Sequence, residues 1–330
     1  MGDDRKPVDI VLEGGGVKGI ALLGAVLTLY DEGYRFPRIA GTSAGAIVAA
    51  LVASYQRDGR NLHELEEVMY NVPYAEFAAQ SLPQRAAGRL GDYVELLLHE
   101  GMHKTDCLVE WLGPLLEARR VRTFADLALD DPQTSLQPYQ RYAVVVHTSD
   151  LSRKVLVRLP WDYSQYDLVA DRQPVVEAVR ASMSIPFFFR PVQVATDRGR
   201  VTWVDGGLLS NFPITAFDRT DGQPARWPTW GIKLSCAPPV QEADQPVNSA
   251  LEISLHCLKT LTSEWNRYHL ASEGVNQRTV YVDTTGYSSR DFGLDEAAQT
   301  TLLARGKAAA QAFLAQVSPP EPSRASAPIS

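Results

Sequence analysis

Asp9 to Val26 read DIVLEGGGVKGIALLGAV, an apolar strand and an apolar helix separated by three consecutive glycines. Glycine loses more backbone freedom on folding than any other residue, so three in a row mark an unusual backbone geometry or a close approach to the main chain. A phosphate, a dinucleotide or an oxyanion would each suit such a loop. Val8–Leu12 reads as the strand and Val17–Tyr30 as the helix, with Ile20, Leu23, Leu27 and Tyr30 on helical spacing. A short strand over Arg38–Gly41 follows, then GTSAG (Gly41–Gly45) and a buried helix over Gly45–Tyr55 that ends at Asp58 and Gly59. This βαβα start implies a parallel sheet with helices on its faces.

Downstream, Asn61–Arg120 is helical in pattern, broken at Pro73, Pro83, Gly88 and Gly101, and is expected to be an insertion that forms a cap or lid. RYAVVVHTSDLSRKVLVRL gives two β-rich runs around a polar turn, a hairpin. PVVEAVRASMSIP is a short helix stopped by Pro186, and RVTWVDGGLLSN is a strand running into a glycine turn. Strands at Thr229–Leu234 and Thr279–Val282 and helices at Ala250–Leu270 and Asp295–Gln316 complete one domain over 1–317. The tail 318–330, SPPEPSRASAPIS, is expected to be unstructured.

With 330 residues, 45% hydrophobic and 22% charged, the composition is that of a soluble globular protein. A net charge of -7 argues against nucleic acid as a partner. Cys107, Cys236 and Cys257 are odd in number and lack CxxC spacing, so neither a disulfide framework nor a cysteine zinc site is expected, and a reducing, cytoplasmic setting fits. The N-terminus has no apolar signal core and carries Lys6 where a myristoylation motif wants Ser or Thr. The apolar runs Ile20–Tyr30 and Ala44–Tyr55 are too short to span a bilayer, so any contact with lipid is expected to be peripheral and transient.

GTSAG is a GxSxG between strand and helix, the context of a nucleophile elbow, where small neighbours allow a tight turn that exposes the Ser43 hydroxyl. A serine nucleophile needs a base and donors for its oxyanion. The glycines meet the second need if their N–H groups point outward at the start of the Val17 helix; losing one such donor slows acyl transfer by about 100- to 1000-fold. The rival readings fail on particular residues. Gly14, Gly16 and Gly19 satisfy GxGxxG, but a dinucleotide site wants an acidic residue ending the second strand, where this chain has RIAGTSAG, and Asp31 and Glu32 fall before that strand. A P-loop wants GK then Ser or Thr, whereas Lys18 precedes Gly19 and Ile20.

For the base, His256 and His269 are candidates in the usual Ser-Asp-His order, but both lie inside a helical pattern. The alternative is Asp205 in VTWVDGGLLSNFP, a carboxylate at a strand end followed by Gly206 and Gly207, which let another backbone come close. HEGMH (His99–His103) matches HExxH, yet Gly101 interrupts it and KTD opens the next helix, so a zinc site is not expected. Asn211 is a candidate brace for the Asp205 turn, and Phe187, Phe188 and Phe189 are either an acyl channel or aromatic core.

Together these residues resemble the patatin-like phospholipase family. The resemblance rests on EGGGVKG, GTSAG, ASMSIPFFFRPV (Ala181–Val192) and VDGGLLSNFP (Val204–Pro213), in family order over about Val8–Asp218. GMHKTDCLVEWL, HTSDLSRKV and the C-terminal helix add weaker support. The resemblance implies a three-layer α/β/α sandwich with a mostly parallel central sheet and a helical insertion. It implies Ser43 as nucleophile, Asp205 as its direct partner in a dyad without histidine, and Gly14, Gly15 and Gly16 as the oxyanion hole. Lys18 takes the basic position of GGGx[KR]G, and Gly41, Gly45, Gly206 and Gly207 support the two turns. Glu13 stands where the family usually has Asp. The implied activity is cleavage of acyl esters of phospholipids and other lipids at a membrane surface, with no metal or cofactor required. A noncatalytic lipid-binding protein on the same fold and a Ser-His-Asp esterase are the alternatives. Head-group preference, the acyl position cut and oligomeric state are open at this level.

Overall fold

A computed structural model describes residues 5–74, 76, 106–131, 136–186, 189–235, 273–289 and 291–317. The helix expected over Ala250–Leu270 with His256 and His269, the HEGMH stretch, Cys236, Cys257, Phe187, Phe188 and the tail lie outside the described residues.

The expected α/β architecture is present. Its central sheet has eight strands in the order β10 (Thr279–Tyr281), β9 (Thr229–Lys233), β2 (Asp9–Leu12), β4 (Ile39–Thr42), β5 (Val144–Asp150), β8 (Gly199–Asp205) and β7 (Val192–Thr196), with β6 (Val155–Leu159) also on β5. The five strands from β10 to β5 are mutually parallel. β6, β7 and β8 are antiparallel additions. A fully covered parallel strand shows an unbroken apolar run rather than alternation, and all four residues of β2 are buried. A small parallel pair, β1 (Lys6–Pro7) with β3 (Tyr34–Arg35), was too short to be read from the pattern.

The first helix starts later than its apolar pattern. Gly16–Lys18 form a 3-10 turn, and α1 runs over Gly19–Asp31, with Gly19 to Leu29 all buried. The remaining described helices used below are α2 (Ala44–Arg57), α3 (Glu64–Tyr70), α4 (Asp106–Glu117), α5 (Val175–Ser182) and α6 (Glu296–Leu314). α3 and α4 are the described ends of the expected helical insertion. α5 ends at Ser182, before the proline expected to stop it, and the chain then turns into the site. No helix among the described residues is long and apolar enough to cross a membrane.

β5 acts as the ruler that aligns the site. β6 pairs with Val146–Asp150 and so overlaps both β4, which pairs up to His147, and β8, which pairs from Thr148 onward. β6 therefore occupies one edge of β5, while β4 and β8 share the other edge end to end. Thr42 lies opposite His147 and Asp205 opposite Thr148, consecutive positions on one strand. The residue after β4 is Ser43, so topology alone brings Ser43 and Asp205 together.

Candidate active site

Ser43 joins β4 to α2 with φ 53° and ψ −123°, a left-handed backbone on a residue with a Cβ. Such a conformation costs on the order of 1–3 kcal/mol and persists only where its surroundings overdetermine it. Here they do. The Ser43 N–H donates to Ser182 Oγ at 2.8 Å, and Ser182 Oγ donates to the His147 carbonyl at 2.6 Å. The Ser43 carbonyl accepts from Ala46 N–H at 2.8 Å, closing the first turn of α2. The flanking glycines are required by space: a Cβ on Gly45 would lie 2.5 Å from the Leu12 carbonyl oxygen, and one on Gly41 would overlap the Gly45 carbonyl.

Asp205 ends β8. Its N–H donates to the Ser184 carbonyl at 2.9 Å, and its Oδ1 accepts the Gly207 N–H at 2.6 Å. Gly206 packs against the His147 carbonyl with no room for a Cβ. Asp205 is 5% exposed, and its Oδ2 is buried without a hydrogen-bond partner. Burial pushes the carboxyl up to about 6, against the opposing pull of the Ser43 hydroxyl and the Gly207 N–H. Ser43 Oγ is thus close enough to act on the carboxylate, yet in this conformation it donates to Met183 Sδ at 3.4 Å.

The glycine loop lies against Ser43, since a Cβ on Gly14 would be 3.2 Å from the Ser43 Cβ. Its three N–H groups are not equivalent, which corrects the expectation that all of Gly14, Gly15 and Gly16 are available as donors. Gly14 N–H is spent on the Asn211 carbonyl at 3.0 Å, and Asn211 Nδ2 returns a hydrogen bond to the Gly14 carbonyl at 2.9 Å. Asn211 therefore clamps the glycine loop rather than only bracing the Asp205 turn. Among the described residues, the N–H groups of Gly15 and Gly16 meet no protein acceptor. Gly16 has φ +56° and packs against the Ser289 carbonyl, which also receives Val17 N–H at 3.2 Å. Lys18 Nζ donates to Thr284 Oγ1 at 3.1 Å, tying the loop to the chain after β10. Glu13, buried below the glycines, pairs with Lys233 and accepts Leu234 N–H at 2.6 Å, so the longer acid is anchored in β9.

Three contributors were missed as individual residues. Ser182 and Ser184 hold the two turns, and Met183 holds the Ser43 hydroxyl. All three lie in the ASMS segment, whose signal is two small polar residues at the end of an amphipathic helix. His147 is buried beside the elbow, and burial pushes its imidazole down to about 4. Its carbonyl, through Ser182, serves the site. Of the three phenylalanines, the described one, Phe189, is buried core.

The site thus combines an α/β sheet, a serine on a strained strand-to-helix turn, a buried carboxylate beside it and a glycine loop over it. Residues 10–218 match the Patatin-like phospholipase family, and the chain belongs to that family. It is 34% identical over 312 residues to YqhO of Bacillus subtilis (strain 168), covering 94% of this chain and 98% of that protein. It is 25% identical over 215 residues to R571 of Acanthamoeba polyphaga mimivirus, covering 64% of this chain and 61% of that protein. Similar solved structures include VipD from Legionella pneumophila, with TM-score 0.48, 15% identity, 94% of this chain and 67% of that one covered. ExoU in its complex with SpcU, from the type III secretion system of Pseudomonas aeruginosa, gives TM-score 0.48 and 18% identity, with 94% of this chain and 52% of that one covered. Membership rests on the family match and on YqhO.

Proposed function

We propose that this chain is a lipid acyl hydrolase of phospholipase A type, cleaving fatty-acyl esters of phospholipids at a membrane surface, with Ser43 as nucleophile and Asp205 as its base. The observation that carries the reading is the meeting of a strained Ser43 with a buried carboxylate whose Oδ2 has no partner. A carboxyl raised to about 6 is a better proton acceptor than an exposed one and is still ionised at neutral pH.

In the proposed reaction Ser43 leaves Met183, passes its proton to Asp205 Oδ2, and its Oγ bonds to the ester carbonyl carbon. The oxyanion is held by the N–H groups of Gly15 and Gly16, backed by the N-terminal dipole of the Gly19 helix. Collapse breaks the ester bond, and the leaving lysolipid oxygen takes the proton from Asp205. Asp205 then deprotonates a water that attacks the acyl-serine, releasing fatty acid and restoring Ser43. Gly14 keeps the loop in place through Asn211.

The test is to incubate the purified chain with a mixed phospholipid panel and identify products by mass spectrometry, alongside labelling with a serine-reactive fluorophosphonate. Fatty acid, lysolipid and a label on Ser43 are expected from the parent. Full activity in Ser43→Ala or in Asp205→Asn would overturn the dyad. Lipid binding with neither product nor label would establish the noncatalytic alternative.

A further inference from the structure

The two hairpins that run outward from the site carry a surface the proposed reaction leaves unused. Past His147, β5 continues beyond the end of β4 and turns at Leu151–Lys154 into β6, closed by the Asp150–Val155 pair. β8 traced back from Asp205 runs the same way to the Asp197–Arg198 turn, closed by the Thr196–Gly199 pair. At ~3.3 Å per residue this arm reaches roughly 20 Å beyond the Asp205 carboxylate. The first turn lies against β8 partway along the second hairpin: Leu151 N–H donates to the Thr202 carbonyl at 2.9 Å, and Thr202 N–H donates to Ser152 Oγ at 3.0 Å, which leaves the Asp197–Arg198 turn roughly 13 Å further out along the strand.

The first turn is rigid and nevertheless exposes apolar groups. Asp150 Oδ1 accepts the N–H groups of Ser152 and Arg153 at 2.7 and 3.0 Å, and its Oδ2 accepts the Tyr166 hydroxyl at 2.8 Å. Arg153 is fixed over the Tyr166 ring at 4.1 Å. On this base Leu151 and Val155 stand 45% and 43% exposed. Lys154 in the same turn and Arg198 and Arg200 on the neighbouring hairpin are exposed, and none of the three forms an ion pair among the described residues. Asp197 is the exposed acid of the second turn. In a chain of net charge -7, a locally basic arm with two bare aliphatic side chains is complementary to an anionic lipid surface, which attracts basic groups and accepts apolar ones at the acyl boundary.

We propose that the arm formed by the β5–β6 turn and the adjoining β7–β8 hairpin docks the protein on an anionic bilayer, Leu151 and Val155 entering the interface and Lys154, Arg198 and Arg200 facing lipid phosphates. This rests on the lipid-hydrolase reading for its purpose, since it sets the site facing the bilayer that presents the substrate.

The full chain is sedimented with phosphatidylcholine vesicles with and without phosphatidylglycerol, at low and high salt, and its hydrolysis of a water-soluble monomeric ester is followed in parallel. Each basic group near an anionic surface strengthens binding about fivefold. The triple change Lys154→Asn, Arg198→Gln and Arg200→Gln is therefore expected to weaken binding to anionic vesicles roughly 100-fold and abolish most of its salt dependence. Asn suits the left-handed backbone at Lys154, φ 60°. Leu151→Ser with Val155→Ser is expected to weaken binding to both vesicle types about tenfold. Both variants keep the parent's rate on the monomeric ester. Anionic vesicle binding unchanged in both variants, or a parent with no preference for anionic vesicles, overturns the docking surface, as does capture of an acidic protein without vesicle binding. A parent that binds anionic vesicles through these residues but hydrolyses no ester upholds the surface and overturns the hydrolase reading instead.

Discussion

The Ser43 turn and the Asp205 turn meet at neighbouring positions on β5, yet they are held by different means. Around Ser43 the constraint is backbone against backbone: Gly41 packs on the Gly45 carbonyl and Gly45 on the Leu12 carbonyl. Around Asp205 the cost is electrostatic, a carboxylate kept from water with one oxygen bonded to Gly207 N–H and the other unpartnered. The first turn stores strain and the second stores desolvation. Changes that relieve each should leave the chain as stable as before, or more so, while removing its chemistry. Ser43→Gly suits φ 53° and is expected to melt no lower than the parent, whereas hydrolysis falls by at least about 1000-fold, as it does for Asp205→Asn. Calorimetry beside product analysis reads both effects; a large loss of stability in Ser43→Gly would show that the turn is not strained.

The difference also predicts where added atoms are tolerated. Gly45→Ala and Gly41→Ala press a methyl into fixed carbonyl groups and are expected to cost about 3 kcal/mol each, with loss of fluorophosphonate labelling. Gly113→Ala, in helix α4 with nothing beyond its chain neighbours within 4 Å of the added carbon, is expected to change stability by less than about 1 kcal/mol, its gain in helix propensity opposed by the ring of Pro114. Denaturant titration of the three variants separates site packing from general helix propensity.

For Asp205 the lever is pH. Its folded carboxyl is raised from 3.8 to about 6, so ionisation opposes folding. The sign is the reverse of a salt-bridged acid: the penalty is absent below about pH 4, grows between 4 and 6, and is full above 6. A shift of this size corresponds to about 3 kcal/mol. Parent stability should therefore fall relative to Asp205→Asn as pH rises through that window, while parent activity rises with a limb near pH 6. Parallel stability curves for the two proteins across pH 4–7 would refute the assignment of the shift to Asp205.

Much of the fold was legible because its signals are local. The parallel strands carry short apolar runs such as Ile10–Leu12 and Val144–Val146, and GTSAG carries its own steric reason. The three glycines also announced the loop, but which N–H groups remain available depends on Asn211 and Ser289, distant in sequence. Likewise the pairing of Ser43 with Asp205 is set by His147 and Thr148 of β5, which read in the sequence only as part of one arm of a hairpin. β7 escaped because it is only five residues long and directly follows Pro191, a residue that argues against a strand. The charge and apolar character of the two hairpins were visible in SRKV and DRGR, but not that the first turn packs along the second hairpin at Thr202.

The smallest effect separates the two turns at the segment that joins them. Ser182 reaches Ser43 with its side chain, whereas Ser184 reaches Asp205 with its backbone carbonyl and spends its own hydroxyl on the Arg180 carbonyl at 2.9 Å. Ser182→Ala leaves the Ser43 N–H without its acceptor and the His147 carbonyl without that donor, in a position that is fully buried. Losing such bonds costs about 1–2 kcal/mol. Because the strained turn is what aims the hydroxyl, the expected loss appears as an approximately tenfold slower labelling of Ser43 and a lower kcat with KM unchanged. Ser184→Ala keeps the carbonyl that serves Asp205 and should alter labelling less than twofold, with a cost of about 0.5–1 kcal/mol for the helix-end bond. Equal damage from the two serines would mean that the segment supports only the fold; a difference confined to Ser182 would identify its hydroxyl as the group that holds Ser43 in its strained turn.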